Sequence, residues 1–136
     1  MNAIARVVLF SLIFACMLGS AMAADLTGAE LKDLLSGKSI YAQTTAASAT
    51  GSVGQGVLYY GADGRALYKT PTGAIWHGAW VIKDNAICSH WKERSSNPCS
   101  KYDKQGDTIS ILNATNGAVR AKVLKIVAGN AENIAP

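Results

Sequence analysis

Two histidines, two cysteines and most of the large aromatic residues of this chain lie between Tyr59 and Tyr102. Side chains of these types could bind a metal ion or transfer protons during catalysis. His77 and His90 fall on neighbouring predicted strands, at near-diagonal positions on one face of a hairpin, with Cys88 beside them. One hypothesis is therefore a small enzyme or a metal-binding protein that uses the two histidines.

Other features of the sequence disfavour chemistry at these histidines. The chain has neither a carboxylate nor a third imidazole at ligand spacing, and no nearby serine or aspartate belongs to a strained-turn nucleophile motif. The alternative is a pair of partly exposed strand histidines whose polar tips reach water. On this basis we predict no metal site, no cofactor and no catalytic residue.

Cys88 and Cys99 are expected to form a disulfide. They are the two cysteines outside the N-terminal segment, whose sequence predicts export to an oxidising compartment. Closing so short a loop contributes about 3 kcal/mol on the chain-entropy model. A redox or metal-binding pair is the alternative, but such pairs usually have closer spacing, as in Cys-x-x-Cys.

Residues 1–23 carry the features of a secretory signal peptide. A positive charge precedes the apolar run from Val7 to Ala15, and Ala21-Met22-Ala23 supplies the small residues that signal peptidase requires. The apolar run is shorter than the roughly 20 residues that span a bilayer. We therefore predict a periplasmic or secreted protein with no stable membrane anchor after cleavage. Lipidation of Cys16 is the alternative, but Phe14 is too bulky for that signal.

Residues 24–136 have the length of one domain, and their charge argues against nucleic acid as a partner. The whole chain has 13 Lys and Arg against 9 Asp and Glu, without any run of like charge. Nucleic-acid-binding domains concentrate their basic residues in patches or stripes. A mildly basic surface is instead compatible with weak attraction to anionic polymers of the cell envelope.

A short helix is predicted at the start of this domain. Thr27-Gly28-Ala29-Glu30 matches a capping box, in which the threonine hydroxyl and the glutamate carboxylate satisfy exposed backbone donors. Leu31, Leu34 and Leu35 form an apolar stripe, and Gly37 is placed to end the helix. The stripe must be buried against the sheet that follows.

From Ser39 onward the hydrophobic pattern has a period of two, interrupted by Gly, Asp and Asn. It predicts a mainly β fold of the α+β type, in which seven or eight antiparallel strands follow the helix as a meander. The sheet is either barrel-like or curled and open, and we favour the barrel because it leaves no exposed strand edges. Ala46 to Gly54 is predicted to be a mobile loop. The predicted strands are residues 39–45, 55–61, 65–70, 74–83, 86–92, 100–103, 107–113 and 118–127.

The turn at Asp84-Asn85 predicts the register of the central hairpin. Two residues of this type are suited to a tight hairpin turn. That turn would pair Trp80 with Ser89 and place Gly78 opposite Trp91, where the absent side chain leaves room for the indole ring.

Two further turns predict registers elsewhere. Thr115-Asn116-Gly117 is expected to form a three-residue loop, which pairs Ile111 with Ala121 and directs Arg120 to the opposite face of the sheet. Asp63-Gly64 is expected to place Tyr60 near Leu67 and Tyr59 near Tyr68.

The aromatic residues of the central strands are candidates for ligand binding. Filling the core is the alternative for each of them, because a small sheet needs large side chains. The polar loop from Trp91 to Cys99 suits recognition, because a tethered loop loses less ordering entropy on binding. The alternative is a protruding loop that the disulfide holds only for stability. The candidate ligand-binding residues are Tyr59, Trp76, His77, Trp80, His90, Trp91 and Tyr102.

Several short motifs follow one another along nearly all of residues 24–136. They are Thr27-Gly28-Ala29-Glu30-Leu31 with Leu34-Leu35-Ser36-Gly37, then Tyr59-Tyr60, Asp63-Gly64, Trp76-His77-Gly78-Ala79-Trp80, Cys88, Trp91, Cys99, Tyr102, Gly106-Asp107 and Gly129-Asn130. In this order they resemble a family of small exported proteobacterial proteins catalogued as domain of unknown function 995. The resemblance implies a bacterial, periplasmic, single-domain protein with one disulfide, and it implies no active-site residues.

The sequence therefore leaves two functional classes. The first is a non-enzymatic periplasmic module that binds an envelope protein, a glycan or a small ligand through its tryptophan and tyrosine side chains. The second is the enzyme or metal-binding protein centred on His77 and His90. We favour the first class, because no catalytic constellation is recognised in the sequence.

Overall fold

The protein was analysed as a computed structural model, which describes residues 23–45 and 52–136. The predicted signal peptide with Cys16 lies almost entirely outside the described residues, as does most of the predicted loop between residues 46 and 54. The elements are β1 (Ala24–Asp25), α1 (Gly28–Leu35), β2 (Lys38–Thr44), β3 (Gly54–Tyr60), β4 (Arg65–Lys69), β5 (Ile75–Lys83), β6 (Ala86–Trp91), β7 (Ser100–Gln105), β8 (Thr108–Asn113) and β9 (Val119–Ala128).

Strands β2 to β9 form a closed antiparallel barrel in which each strand pairs with the next. Pairing of β2 with β9 completes the ring, and β1 adds a short strand beside β7. The predicted mainly β fold is confirmed, in its barrel form. All eight predicted strands are present, with ends that differ by at most two residues from the prediction.

The contact between β6 and β7 is the weakest seam of the barrel. Only one residue pair, Ile87 with Ser100, is registered between these strands in the described structure. The Cys88–Cys99 disulfide joins the two residues next to that pair, with the Cα atoms 4.2 Å apart. The predicted disulfide is therefore present, and it closes the sheet where backbone pairing is sparse.

Helix α1 covers one end of the barrel. Leu31 and Leu35 are fully buried in the interior cluster, together with Ile40 of β2. The capping box predicted from the sequence is present, with the Thr27 hydroxyl accepting from the Glu30 amide and the Glu30 carboxylate accepting from the Thr27 amide. The helix thus fills one end with aliphatic side chains.

The central hairpin has the predicted two-residue turn. Asp84 and Asn85 both adopt positive φ angles, of 50° and 56°. The register pairs Trp80 with Ser89, as predicted, and Gly78 with Trp91.

The register predicted for the Asp63-Gly64 turn is wrong by one residue. Tyr60 pairs with Ala66, and Tyr59 pairs with Leu67. The reason is the loop length: the Gly61 amide donates to the Arg65 carbonyl, which leaves three residues in the loop. Leu67 consequently faces outward.

A second apolar cluster lies on the outside of the barrel. It contains Tyr41, Val57, Leu67 and Ile134, so that the C-terminal tail covers the outer faces of β2, β3 and β4. The tail is held by Asn130, whose amide group donates to the Ile134 carbonyl and accepts from its amide. These strands are therefore apolar on both faces.

The described part of the chain contains no helix with the length and hydrophobicity needed to span a bilayer.

The capping box makes a measurable contribution to stability. Replacing Thr27 by Ala removes the side-chain acceptor for the Glu30 amide, and we expect the free energy of unfolding to fall by about 1 kcal/mol. Urea denaturation followed by far-UV circular dichroism measures the change. Thr115→Ala, in an exposed turn, is the control, and an equal loss in both variants would contradict the assignment.

Candidate functional site

The end of the barrel opposite α1 contains a cavity of about 110 Å³. Its floor is formed by inward side chains that include Tyr60, Ile87 and Tyr102, and exposed Ser96 lies at its rim. Engineered apolar cavities of about 150 Å³ accept benzene. This cavity can therefore hold part of a small molecule, with the remainder extending through the open end.

Three aromatic side chains form one wall of the cavity. The ring centroids of Tyr68 and Trp76 are 5.5 Å apart, those of Tyr68 and Trp91 are 6.0 Å apart, and those of Trp76 and Trp91 are 6.3 Å apart. These distances and their tilted or edge-on angles are typical of favourable aromatic pairs. The wall is therefore a rigid apolar surface.

Two glycines make room for this wall. A Cβ atom on Gly56 would lie 2.7 Å from the Tyr68 ring, and one on Gly78 would lie 3.1 Å from the Trp91 indole while clashing with the backbone at His90. Real Cβ atoms essentially never approach as closely as the Gly56 distance, and the Gly78 distance to Trp91 is tighter than most real contacts. The room that the sequence predicted between Gly78 and Trp91 is present.

The loop between β6 and β7, residues 92–99, lies across the rim of the cavity and is called the rim loop below. The Asn97 side chain accepts a hydrogen bond from the Trp91 amide at 2.8 Å, and the Arg94 guanidinium lies 5.3 Å from the Trp76 ring centroid. The disulfide ties the end of this loop to the centre of β6. Arg94 and Asn97 both contribute to the cavity lining.

Arg120 also lines the cavity, although the sequence predicted that it would face the other way. The register shifts between Ile111, which pairs with Ala121, and Leu112, which pairs with Val119. Arg120 is the extra residue of this bulge, and bulges redirect side chains. The Asn113 amide donates to the Ala118 carbonyl, so the turn has one residue more than predicted and the bulge compensates for it.

The Arg120 guanidinium is held at one nitrogen only. Nη1 donates to the Ser100 hydroxyl at 2.9 Å and to the Pro98 carbonyl at 3.4 Å. Nη2 is buried and has no hydrogen-bond partner in the described structure. Burial lowers the pKa of Arg120, and the nearby positive charge of Arg94 lowers it further. The cavity therefore contains a partly desolvated cation.

Tyr102 contributes a second unpartnered polar atom. Its side chain is fully buried, and its hydroxyl interacts with the nearby Tyr60 hydroxyl but makes no hydrogen bond of ordinary length and angle among the described residues. Burial, together with the nearby Tyr60 hydroxyl, raises the pKa of Tyr102 well above its ordinary value of 10.0. Burial likewise raises the pKa of Tyr60.

The structure brings together three of the seven residues that the sequence proposed for ligand binding. Trp76, Trp91 and Tyr102 line the cavity. Trp80 is buried below it, where its indole N–H donates to the Gly61 carbonyl at 2.8 Å and its ring contacts Tyr60. The other three, Tyr59, His77 and His90, belong to the outward-facing positions of β3, β5 and β6.

His77 and His90 are not brought into a metal centre. The His77 ring nitrogen Nδ1 lies 3.0 Å from a carboxylate oxygen of Glu93, and its amide donates to the other oxygen at 2.9 Å. Within residues 23–45 and 52–136, no group of three His, Cys, Asp or Glu side chains is arranged to hold a metal ion. His77 therefore links β5 to the rim loop.

The sequence did not single out Tyr68 or Arg120 as site residues, and it indicated Arg94 only as part of the loop from Trp91 to Cys99. The alternation of polar and apolar residues could not show which face of β4 carries Tyr68, because that strand is apolar on both faces. The inward direction of the Arg120 side chain depends on the β-bulge, and the alternation of polar and apolar residues does not reveal a bulge. Comparisons of the chain with protein-family models, with curated proteins and with solved structures find no match.

The buried tyrosine makes stability depend on alkaline pH. The folded state holds the Tyr102 proton more tightly than the unfolded chain does, so the stability present below pH 10.0 is lost as pH rises above that value. We expect Tyr102→Phe to make this loss shallower, because one of the groups that must ionise is removed. Urea denaturation at a series of pH values from about 8 to 11 measures the slope. An unchanged slope would contradict burial as the cause.

The disulfide should support both stability and the rim loop. Replacing Cys88 and Cys99 together by Ala is expected to lower the free energy of unfolding by about 2 to 4 kcal/mol, measured by urea denaturation. Hydrogen exchange at the Trp91 amide should accelerate, because its acceptor Asn97 lies on the released loop. The wild-type protein in reducing agent is the matched control. Equal stability of oxidised and reduced protein would contradict this role.

Proposed function

We propose that this protein is an exported, non-enzymatic binding protein that holds a small, largely apolar molecule in the open end of its barrel. The cavity beside the Tyr68, Trp76 and Trp91 wall is the observation that carries the proposal. Concave sites lined by aromatic side chains with a few polar groups are typical of small-molecule binding. The other end of the barrel is filled by leucines, which restricts the proposed site to one end.

The dimensions favour a small ligand over the other partners that the sequence left open. A volume of about 110 Å³ is too small to enclose a glycan chain or a peptide segment. A small molecule can contact the aromatic wall, the floor and the rim loop together. We therefore narrow the proposed partner from an envelope protein, a glycan or a small ligand to the last of these.

Export to the periplasm or beyond is part of the proposal. A disulfide is compatible with an oxidising compartment, since disulfides are rare in the cytosol. The signal-like features of residues 1–23 and the resemblance to the family catalogued as domain of unknown function 995 support the same location. Membership of that family is likewise proposed, on the order of the motifs.

An enzyme or metal-binding protein centred on His77 and His90 has weaker support. The cavity is formed by inward side chains, whereas both histidines occupy outward positions on β5 and β6. His77 already interacts with Glu93. We therefore assign no catalytic residue and no cofactor.

Titration with benzyl alcohol, a neutral aromatic probe of suitable size, tests the proposed site. We expect saturable NMR chemical-shift changes at Tyr68, Trp76 and Trp91. Trp76→Ala should weaken binding about five-fold or more, because an aromatic contact contributes on the order of 1 kcal/mol.

Tyr59→Ala is the matched control, since Tyr59 is also a half-buried aromatic residue but belongs to the outer cluster. It should leave the affinity unchanged. Shifts that do not saturate, or an equal loss of affinity in both variants, would overturn the proposed site.

A further inference from the structure

The cavity is electropositive and its described lining contains no compensating negative charge. Arg120 and Arg94 line it, and none of the described lining residues is Asp or Glu. All four ion pairs of the described residues lie elsewhere, at Arg65 with Asp63, Lys69 with Glu132, His77 with Glu93 and Lys101 with Asp25. Even a half-buried charge is commonly paired, because desolvating it without a partner is costly. Arg120 therefore lacks the partner that its position calls for.

Two buried hydrogen-bond donors in the same cavity are also unused. They are Nη2 of Arg120 and the hydroxyl of Tyr102, the two side-chain atoms of the described structure that are buried without a partner. Buried polar atoms without partners are rare, and each costs about 1 to 3 kcal/mol. The occurrence of both in one cavity indicates that a ligand completes their hydrogen bonding.

The Arg120 guanidinium is also held in place by the protein. Nη1 of Arg120 donates to the Ser100 hydroxyl and to the Pro98 carbonyl, which fixes one side of the guanidinium, while Nη2 is buried without a partner. The bulge at Arg120 sets the inward direction of the side chain. A cation positioned before binding loses little side-chain entropy when an anion arrives.

We propose that the ligand is a small amphipathic monocarboxylate, whose carboxylate binds Arg120 and Tyr102 and whose apolar part lies against the aromatic wall. This inference rests on the proposed function and adds the chemical class of the ligand. One positive charge and two free donors match a group with one negative charge and two acceptor oxygens. A phosphate dianion needs more donors and more positive charge than Arg120 and Tyr102 supply, and Arg94 lies at the rim over Trp76.

Arg94 has a different role from Arg120. Its guanidinium lies over Trp76 at the rim and its Nε donates to the Ser96 carbonyl. The Arg94 side chain is partly exposed to solvent. A cation at the entrance attracts an anionic ligand and raises the rate of association, and salt screens this effect. Arg120 should therefore determine the preference for a carboxylate, and Arg94 should contribute mainly to the rate.

The experiment compares benzoate with benzyl alcohol, which carry the same ring and differ in charge. Isothermal titration calorimetry should show that the wild-type protein binds benzoate about ten-fold more tightly or better, since a hydrogen bond to a charged group contributes roughly 1.5 to 3 kcal/mol. Arg120→Met should abolish this preference while benzyl alcohol still binds. Tyr102→Phe should reduce the preference several-fold. Lys122→Met, which removes an exposed cation two residues along β9, is the matched control and should change neither affinity.

The outcomes separate the two proposals. Binding of benzyl alcohol with no preference for benzoate would overturn the carboxylate assignment and leave the proposed function standing. Failure of both probes to bind would overturn both. Tighter binding of phenyl phosphate than of benzoate would overturn the choice of a carboxylate. These comparisons use the wild-type protein, so they hold even if Arg120→Met does not fold.

The stability of unliganded Tyr102→Phe gives an independent measurement. If Tyr102 serves the ligand, this variant should match or exceed the wild-type protein in urea denaturation, because it removes an unpartnered hydroxyl. A loss of stability in Tyr102→Phe, together with unchanged benzoate binding, would assign Tyr102 a structural role and overturn the inference.

Discussion

The barrel and its cavity both require the sheet to close between β6 and β7. Backbone pairing supplies one registered residue pair there, and the Cys88–Cys99 disulfide stands directly beside it. Without this closure the meander would be an open sheet with two exposed edges, and the cavity would lose a wall. The same covalent bond ends the rim loop that carries Arg94 and Asn97. One crosslink thus maintains both the barrel and the entrance to the proposed site.

The two ends of the barrel differ in how completely side chains fill them. At the helix end, leucine side chains fill the interior, and the helix itself is anchored by its capping box and by the Gly28 amide donating to the Asn85 side chain. At the open end, aromatic side chains surround a cavity that contains a guanidinium and a phenol with unused hydrogen-bonding capacity. Filling that end would stabilise the protein. Unsatisfied polar groups lower the stability of the folded protein, and regions that retain them are typical of functional sites.

Much of the fold was predictable because its signals are local. The capping box, the alternation of the strands and the two-residue turn at Asp84-Asn85 each depend on residues close in sequence, and the structure contains all three. The register at Asp63-Gly64 and the direction of the Arg120 side chain were predicted incorrectly, whereas the predicted pairing of Ile111 with Ala121 is present. A loop of three residues displaced Tyr60 from Leu67 to Ala66, and a bulge turned Arg120 inward. Both errors arise because a change of one residue in a turn or strand moves the following side chains to the opposite face of the sheet. Strands that are apolar on both faces lack the alternation that would reveal such a change.

The class of the fold, the disulfide and the presence of aromatic residues on the central strands can be predicted from the chain alone, because they follow from hydrophobic period, cysteine number and composition. Which aromatic residues share a cavity becomes evident only in three dimensions. The tertiary structure placed Trp76 and Trp91 beside Tyr68, buried Trp80 in the core and left His77 and His90 outside. It also decided that Arg120 faces the interior. Those outcomes depend on how a curved sheet closes on itself, which is a property of all eight strands together and of no single segment.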